Sequence, residues 1–124
     1  MLKKIGLAFG VIMLLAGIAG YVPALVPDGK LLGIFAVNGA HNLVHVATGV
    51  VALVLAFASP GNLSMFFKVF GIVYGLVAVL GMFAGEQPLL GIIAHNMADM
   101  WLHVAIAAFS LWVGFGMKDT TVAA

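Results

Sequence analysis

Charged residues and cysteine are what this sequence lacks. Only 7% of its 124 residues are charged, whereas 65% are hydrophobic, and the mean hydropathy is +1.25. A soluble domain carries about 25% charged residues, so this chain is predicted to be an integral membrane protein surrounded by the lipid bilayer. The absence of cysteine excludes disulfides, thiolate metal sites and thiol catalysis. The net charge of +1 is too small to indicate a nucleic-acid partner.

Four long apolar segments divide the chain, and each can supply the roughly 20 residues that a membrane-spanning helix needs. They cover roughly residues 5–21, 32–58, 65–85 and 90–116, separated by clusters of proline, glycine and polar residues. The first segment resembles a secretory signal, but the same kind of segment recurs later, so we expect it to remain as a span. The second and fourth segments are longer than an upright span requires. Either these helices are tilted, or they begin at Asn38 and Asn96 as N-cap residues.

The two halves of the chain resemble each other. Residues 33–47 match residues 91–105 at the Gly, Ile, Ala, Asn, His and Val positions. Each half contains two spans, so both halves enter the membrane from the same side, and a parallel repeat is predicted. We therefore expect one all-α membrane domain over residues 1–124, with four transmembrane helices as two parallel two-helix repeats. The first repeat covers about residues 5–58 and the second about residues 65–116.

The lysines predict the orientation of the chain. One side of the membrane carries the chain termini and the turn between the second and third spans, with Lys3, Lys4, Lys68 and Lys118. The other side carries only Lys30, together with Asp28 and Glu86. The positive-inside rule then places both termini in the cytoplasm.

Two similar polar motifs lie in the outer halves of the second and fourth spans, and each reads Asn-x-Ala-[His/Asp]-x-x-x-His. On a helix, positions i, i+3 and i+7 share one face. The resulting stripes are Asn38, His41 and His45, and Asn96, Asp99 and His103, with His95 beside the second. Because ionisable groups are costly inside a membrane, both stripes should face the bundle interior. A two-fold axis between the halves would place His45 opposite His103 and His41 opposite Asp99.

Metal binding is the function that this pattern favours. Two histidines four residues apart are a common ligand pair, and a carboxylate completes a set that suits Zn²⁺, Fe²⁺ or Cu²⁺. The predicted ligands are His41, His45, Asp99 and His103, with Asn38, Asn96 and His95 in supporting positions. Catalysis would require an open position on the metal, and no reaction is predicted.

Other functions stay open at this point. A b-type haem held by His45 and His103 is chemically reasonable for facing helices. A structural or accessory subunit of a membrane complex, or a homo-oligomer, would use the same residues as a hydrogen-bonded staple, with a His41–Asp99 ion pair and asparagine caps. A proton or solute path is disfavoured, because only Thr48 and Ser110 continue the stripes into the inner half.

The same motifs resemble a known family. The pattern Asn38-x-x-His41-Asn-Leu-x-His45, together with Asn96-x-x-Asp99-x-Trp-Leu-His103, is similar to small bacterial four-span proteins catalogued as domain of unknown function 4383. The resemblance covers roughly residues 5–116. It implies a four-helix membrane protein with an Asn/His/Asp pattern, and it implies no activity. For the location we expect the bacterial cytoplasmic (inner) membrane, with the chain crossing it several times.

Overall fold

The computed structural model describes residues 1–117 and contains four helices that are long and apolar enough to cross a membrane. These are α1 (Leu2–Ala19), α2 (Gly39–Ala58), α3 (Leu63–Ala84) and α4 (Met97–Leu111). A π-helical segment, Trp112–Gly116, extends α4 to the length of a span. The prediction of an all-α protein with four transmembrane helices is thereby confirmed. Lys118, one of the lysines that predict the orientation, lies outside the described residues.

Asparagine caps define the starts of α2 and α4. Of the two alternatives, a tilted long helix or a shorter one that begins at an asparagine N-cap, the shorter one is therefore correct. The Asn38 side chain accepts a hydrogen bond from the His41 backbone N–H at 2.9 Å. The Asn96 side chain accepts one from the Asp99 backbone N–H at 3.0 Å, and Asp99 Oδ2 accepts one from the Asn96 N–H at 3.1 Å. Each cap satisfies backbone donors that a helix start leaves without partners.

The segments before the caps are compact loops rather than helix. The first loop contains two short 3₁₀ turns, Pro23–Leu25 and Pro27–Gly29, and a two-stranded antiparallel ribbon of β1 (Lys30–Leu31) and β2 (Phe35–Ala36). The second contains a single antiparallel bridge between Leu89 and Ile93. A third 3₁₀ turn, Pro60–Asn62, joins α2 to α3.

The helices form two hairpins, α1 with α2 and α3 with α4. Two reciprocal hydrogen bonds join the loops of the hairpins: the Asn38 amide donates to the Ile92 carbonyl, and the Asn96 amide donates to the Ile34 carbonyl, both at 2.9 Å. Both loops therefore lie at one end of the bundle. These four residues occupy corresponding positions in the predicted repeat, and the repeat itself stays a prediction.

Close helix packing within the hairpins depends on particular glycines. A Cβ atom built on Gly49 of α2 would lie 2.6 Å from the Leu14 nitrogen of α1, and one on Gly114 would lie 2.6 Å from the Lys68 nitrogen of α3. By contrast, a Cβ on Gly75 would meet nothing within 4 Å. Only some of the glycines in the transmembrane helices therefore lie at helix contacts.

An aromatic cluster fills the half of the bundle away from the two loops. Phe9 of α1 packs edge-on against Phe67 and Phe70 of α3, with ring centroids 5.2 and 5.4 Å apart. Phe109 of α4 stacks on Phe9 at 6.3 Å. This apolar packing leaves the Asn/His/Asp positions of the two stripes at the loop end of the bundle.

Replacing Asn96 by alanine should lower the free energy of unfolding by about 1–2 kcal/mol, because one cap and one loop-to-loop hydrogen bond are lost together. Asn62, at the start of α3, is a matched control, since its side chain makes no cap hydrogen bond. Denaturant titration in detergent micelles, followed by circular dichroism, measures both variants. An equal effect of Asn62→Ala and Asn96→Ala would contradict the assignment of the cap.

Candidate functional site: a buried histidine cluster

Three histidines from two helices converge at the loop end of the bundle. His41 and His45 lie one turn apart on α2, and His103 projects from α4. Their ring nitrogens offer three ligand atoms that all lie within 4.8 Å of one another. The Nε2 atoms of His41 and His45 are 3.1 Å apart. Two nitrogens on one tetrahedral zinc ion are about 3.3–3.4 Å apart, so the more widely separated nitrogens would have to move closer together to share a single ion.

The cluster is shielded from water and lies close to the helix starts. His41, His45 and His103 are 3, 6 and 3% exposed. They occupy the first two turns of their helices, within about 10 Å of the helix ends at a rise of 1.5 Å per residue. The predicted position of these histidines, in one half of the membrane and facing inward, agrees with this arrangement.

A backbone carbonyl determines which ring nitrogen of His41 carries the proton. His41 Nδ1 lies 2.8 Å from the Ala94 carbonyl oxygen in the second loop. Because a carbonyl only accepts, Nδ1 carries the proton and donates it. The Nε2 lone pair of His41 therefore points toward His45 and is available to a metal. Metal-binding histidines are commonly oriented by such a bond to the second ring nitrogen.

Asp99 lies next to the histidines, but one of its carboxylate oxygens takes part in the cap of its own helix. Its carboxylate is 1% exposed, and Oδ2 accepts the Asn96 backbone N–H. Oδ1 has no hydrogen-bond partner within the described chain. Asp99, His41, His45 and Asn42 line one small cavity of about 30 Å³, which is room for one water molecule. Asp99 is absent from the group of three converging ligand atoms.

Two further residues complete the surroundings of the cluster. The His95 ring centroid lies 6.0 Å from that of His103, and His95 Nδ1 donates to the Gly85 carbonyl at 2.8 Å. Tyr74 of α3 packs edge-on against the His103 ring at 5.4 Å. The sequence pattern assigned Tyr74 no role, because only the packing of α3 against α4 brings it to His103.

Several polar atoms of the cluster are buried without a partner. In residues 1–117 these are His45 Nδ1, His95 Nε2, Asp99 Oδ1 and His103 Nδ1, together with Ser110 Oγ further along α4. Buried polar atoms in folded proteins nearly always have partners, and exceptions point to a bound ion, a water or a functional role. The network is therefore incomplete as a purely internal set of hydrogen bonds.

The haem alternative gains no support from this geometry. Axial ligands His45 and His103 would need a flat macrocycle between them. His41, however, belongs to the same group of ligand atoms within 4.8 Å. Gly49, which could have made room for a macrocycle, packs against the α1 backbone instead.

Comparison with known proteins identifies the family. No curated protein and no solved structure matches the chain. A model of the family described as "Domain of unknown function (DUF4383)" matches residues 3–116, which is most of the sequence. The chain therefore belongs to the DUF4383 family of proteins.

Proposed function

We propose that this membrane protein binds a single transition-metal ion through His41, His45 and His103. The observation that carries the proposal is the convergence of three buried imidazole nitrogens from α2 and α4 within 4.8 Å. Imidazole is a common ligand for Zn²⁺, Cu²⁺ and Fe²⁺. Asp99 contributes the fourth group, either directly through Oδ1 or through a water in the small cavity that it shares with His41 and His45.

The partnerless atoms favour this function over a structural staple. A staple stabilises a bundle when each buried polar group is paired, and each unpaired group costs about 1–3 kcal/mol. Here His45, His103 and Asp99 each have a buried atom without a partner in the described residues. A water in the shared cavity would satisfy Asp99 Oδ1, and a metal ion would take up one ring nitrogen of each histidine. An accessory subunit without a metal is the alternative, and the binding experiment separates the two.

The membrane setting completes the proposal. The chain is a single domain of two parallel repeats in the bacterial cytoplasmic membrane, with both termini in the cytoplasm. In support, Lys3 and Lys68 lie at one end of the bundle, whereas the two joined loops and Lys30 lie at the other. The metal would then lie in the outer half of the membrane, within reach of the extracytoplasmic side.

Metal binding should be stoichiometric and should stabilise the fold. Protein stripped with a chelator and titrated with Zn²⁺, Cu²⁺ or Fe²⁺ is expected to retain one ion per chain by elemental analysis. At 100 times the Kd, the ion should add about 2.7 kcal/mol to the free energy of unfolding. Lowering the pH should weaken binding, because protons compete with the metal for the imidazole nitrogens. Failure of all three metals to bind stoichiometrically would favour the structural role.

A further inference from the structure

The start of α2 holds the second loop at two points. The Asn38 amide donates to the Ile92 carbonyl at 2.9 Å, and His41 Nδ1 donates to the Ala94 carbonyl at 2.8 Å. The two donors are three residues apart at the start of α2, and the two acceptors are two residues apart in the loop. A histidine of the first hairpin is therefore oriented by a carbonyl group of the second hairpin.

The Ala94 carbonyl is not held by the hydrogen bonds of its own loop. The backbone bonds that close the short ribbon of this loop end at Ile93, and in residues 1–117 no backbone–backbone hydrogen bond includes Ala94. The residues two positions to either side are fixed, Ile92 by the Asn38 amide and Asn96 by the cap of α4. The position of the Ala94 carbonyl therefore depends on the Asn38 amide.

The same carbonyl decides where the protons of the His41–His45 pair lie. His41 Nδ1 carries a proton, so with a neutral ring His41 Nε2 can only accept a hydrogen bond. His45 Nε2 lies 3.1 Å from it and must then carry the proton of that bond. His45 Nδ1 is left without a proton and has no partner in the described residues. One loop carbonyl thus sets the tautomers of both rings.

We propose that Asn38 is a positioning residue for the histidine cluster and that it acts through the second loop. Its amide holds Ile92, and this places the Ala94 carbonyl at His41 Nδ1, so that the His41 Nε2 lone pair faces His45. The cap of α2 is a separate role, because a different atom, Asn38 Oδ1, makes it. The effect on the tautomers does not require a metal, whereas the effect on metal affinity rests on the proposed function.

The corresponding residues of the second motif do not orient a histidine in this way. The Asn96 amide likewise donates to the Ile34 carbonyl of the first loop at 2.9 Å. Asp99, which takes the place of His41 three residues further on, is a carboxylate and cannot donate when ionised. Its Oδ1 atom has no partner within residues 1–117. The second loop, held by Asn38, is therefore the one that orients a ligand of the cluster.

Asn38→Ser separates the two roles of the side chain. Serine is a good N-cap residue, so its hydroxyl keeps the cap, but it has no amide to donate to Ile92. Nitrogen-15 NMR of the metal-free protein in micelles, at about pH 8 where imidazole is neutral, reports the tautomer of each ring. The chain has four histidines, and the His95→Ala and His103→Leu variants assign the signals of the other two.

The unchanged protein should have His41 protonated on Nδ1 and His45 protonated on Nε2. In Asn38→Ser the opposite tautomers of both rings should appear together, because the two rings share one hydrogen bond. The ratio of the two forms should change by about tenfold, which corresponds to the loss of one hydrogen bond. A general loss of stability would not move the protons of both rings in this linked way.

Tyr21→Phe is the matched control. The Tyr21 hydroxyl donates to the Gly39 carbonyl at 3.0 Å, so this variant also loses one hydrogen bond at the start of α2 but keeps the Asn38 amide. It should retain the tautomers of the unchanged protein. If Asn38→Ser is poorly folded by size-exclusion chromatography, Asn38→Asp repeats the test, because aspartate caps a helix equally well and cannot donate.

Zn²⁺ titration gives the second readout. Asn38→Ser should bind Zn²⁺ about tenfold more weakly than the unchanged protein, at the lower end of the loss found for groups that orient a metal ligand, and Tyr21→Phe should bind it unchanged. Unaltered tautomers in a folded Asn38→Ser or Asn38→Asp variant, or the same change in Tyr21→Phe, would overturn the proposal. Altered tautomers in a protein that binds no metal would support the role of Asn38 and reject metal binding. Conversely, stoichiometric metal binding with unaltered tautomers would reject the role of Asn38 alone.

Discussion

Replacing His103 by alanine should abolish tight metal binding and leave the four helices assembled. His103 is the only one of the three converging ligands that comes from α4, whereas His41 and His45 share α2. Without it, two imidazoles one turn apart remain. Loss of a group that only orients a ligand costs about 10–100-fold in affinity, so loss of a ligand itself should exceed about 100-fold. Isothermal titration of chelator-stripped protein with Zn²⁺ measures the change.

His95→Ala is the matched control for this prediction. His95 is as buried as His103 and lies beside it, yet its nitrogens are outside the converging group. The His95→Ala variant should therefore keep its metal affinity within about tenfold of the unchanged protein. An equal loss in both variants would show that the affinity depends on general packing, and unchanged affinity in His103→Ala would remove His103 from the ligand set.

The stability of the same site without metal provides a second, independent readout. Replacing a histidine that stabilises the fold should lower the free energy of unfolding. Replacing one that serves only as a metal ligand should not lower it in the metal-free protein. Since His103 Nδ1 has no partner in residues 1–117, His103→Leu removes an unpaired buried group of similar size. The metal-free variant should be as stable as the metal-free parent, or more stable. A loss of more than about 2 kcal/mol would favour the structural staple.

Much of the fold could be read from the sequence because membrane spans depend on length and hydropathy, which are local properties. The helix starts were also encoded locally, since Asn38 and Asn96 precede their helices and their side chains bind backbone N–H groups three residues on. The sequence alone did not decide between a tilted long helix and a capped shorter one, because that depends on whether the residues before each asparagine form a loop. Hairpins such as β1–β2 form through turns that a hydropathy pattern does not reveal.

The site was only partly predictable, because helical spacing shows which residues share a face but not what that face meets. His41, His45 and His103 do converge. We expected His41 to lie opposite Asp99. The structure places the His41 ring 5.9 Å from the His103 ring, whereas one Asp99 oxygen accepts a hydrogen bond from the backbone at the start of its own helix. Asp99 as a metal ligand stays a prediction. Tyr74 could not be found at all, since it reaches His103 only through tertiary packing.

Replacing Gly49 by leucine should strongly destabilise the fold. A Cβ atom at this position would lie 2.6 Å from the Leu14 nitrogen and 2.7 Å from the Gly10 carbonyl oxygen. Both are backbone atoms of α1, so no side-chain rotation relieves the overlap, and α1 and α2 must separate. Overpacking of this kind costs about 1–3 kcal/mol and occasionally more, and we expect the upper part of that range.

Gly75 offers the matched control for this substitution. It also lies inside a transmembrane helix, but a Cβ there meets nothing within 4 Å. Gly75→Ala should therefore be neutral or stabilise the protein by up to about 1 kcal/mol, through higher helix propensity alone, whereas Gly49→Ala should already destabilise it. Unfolding in detergent, followed by circular dichroism, compares the two. Because α2 carries His41 and His45, Gly49→Leu should also weaken metal binding, although Gly49 contributes no ligand. Equal stability of the two alanine variants would mean that α1 and α2 do not meet at Gly49.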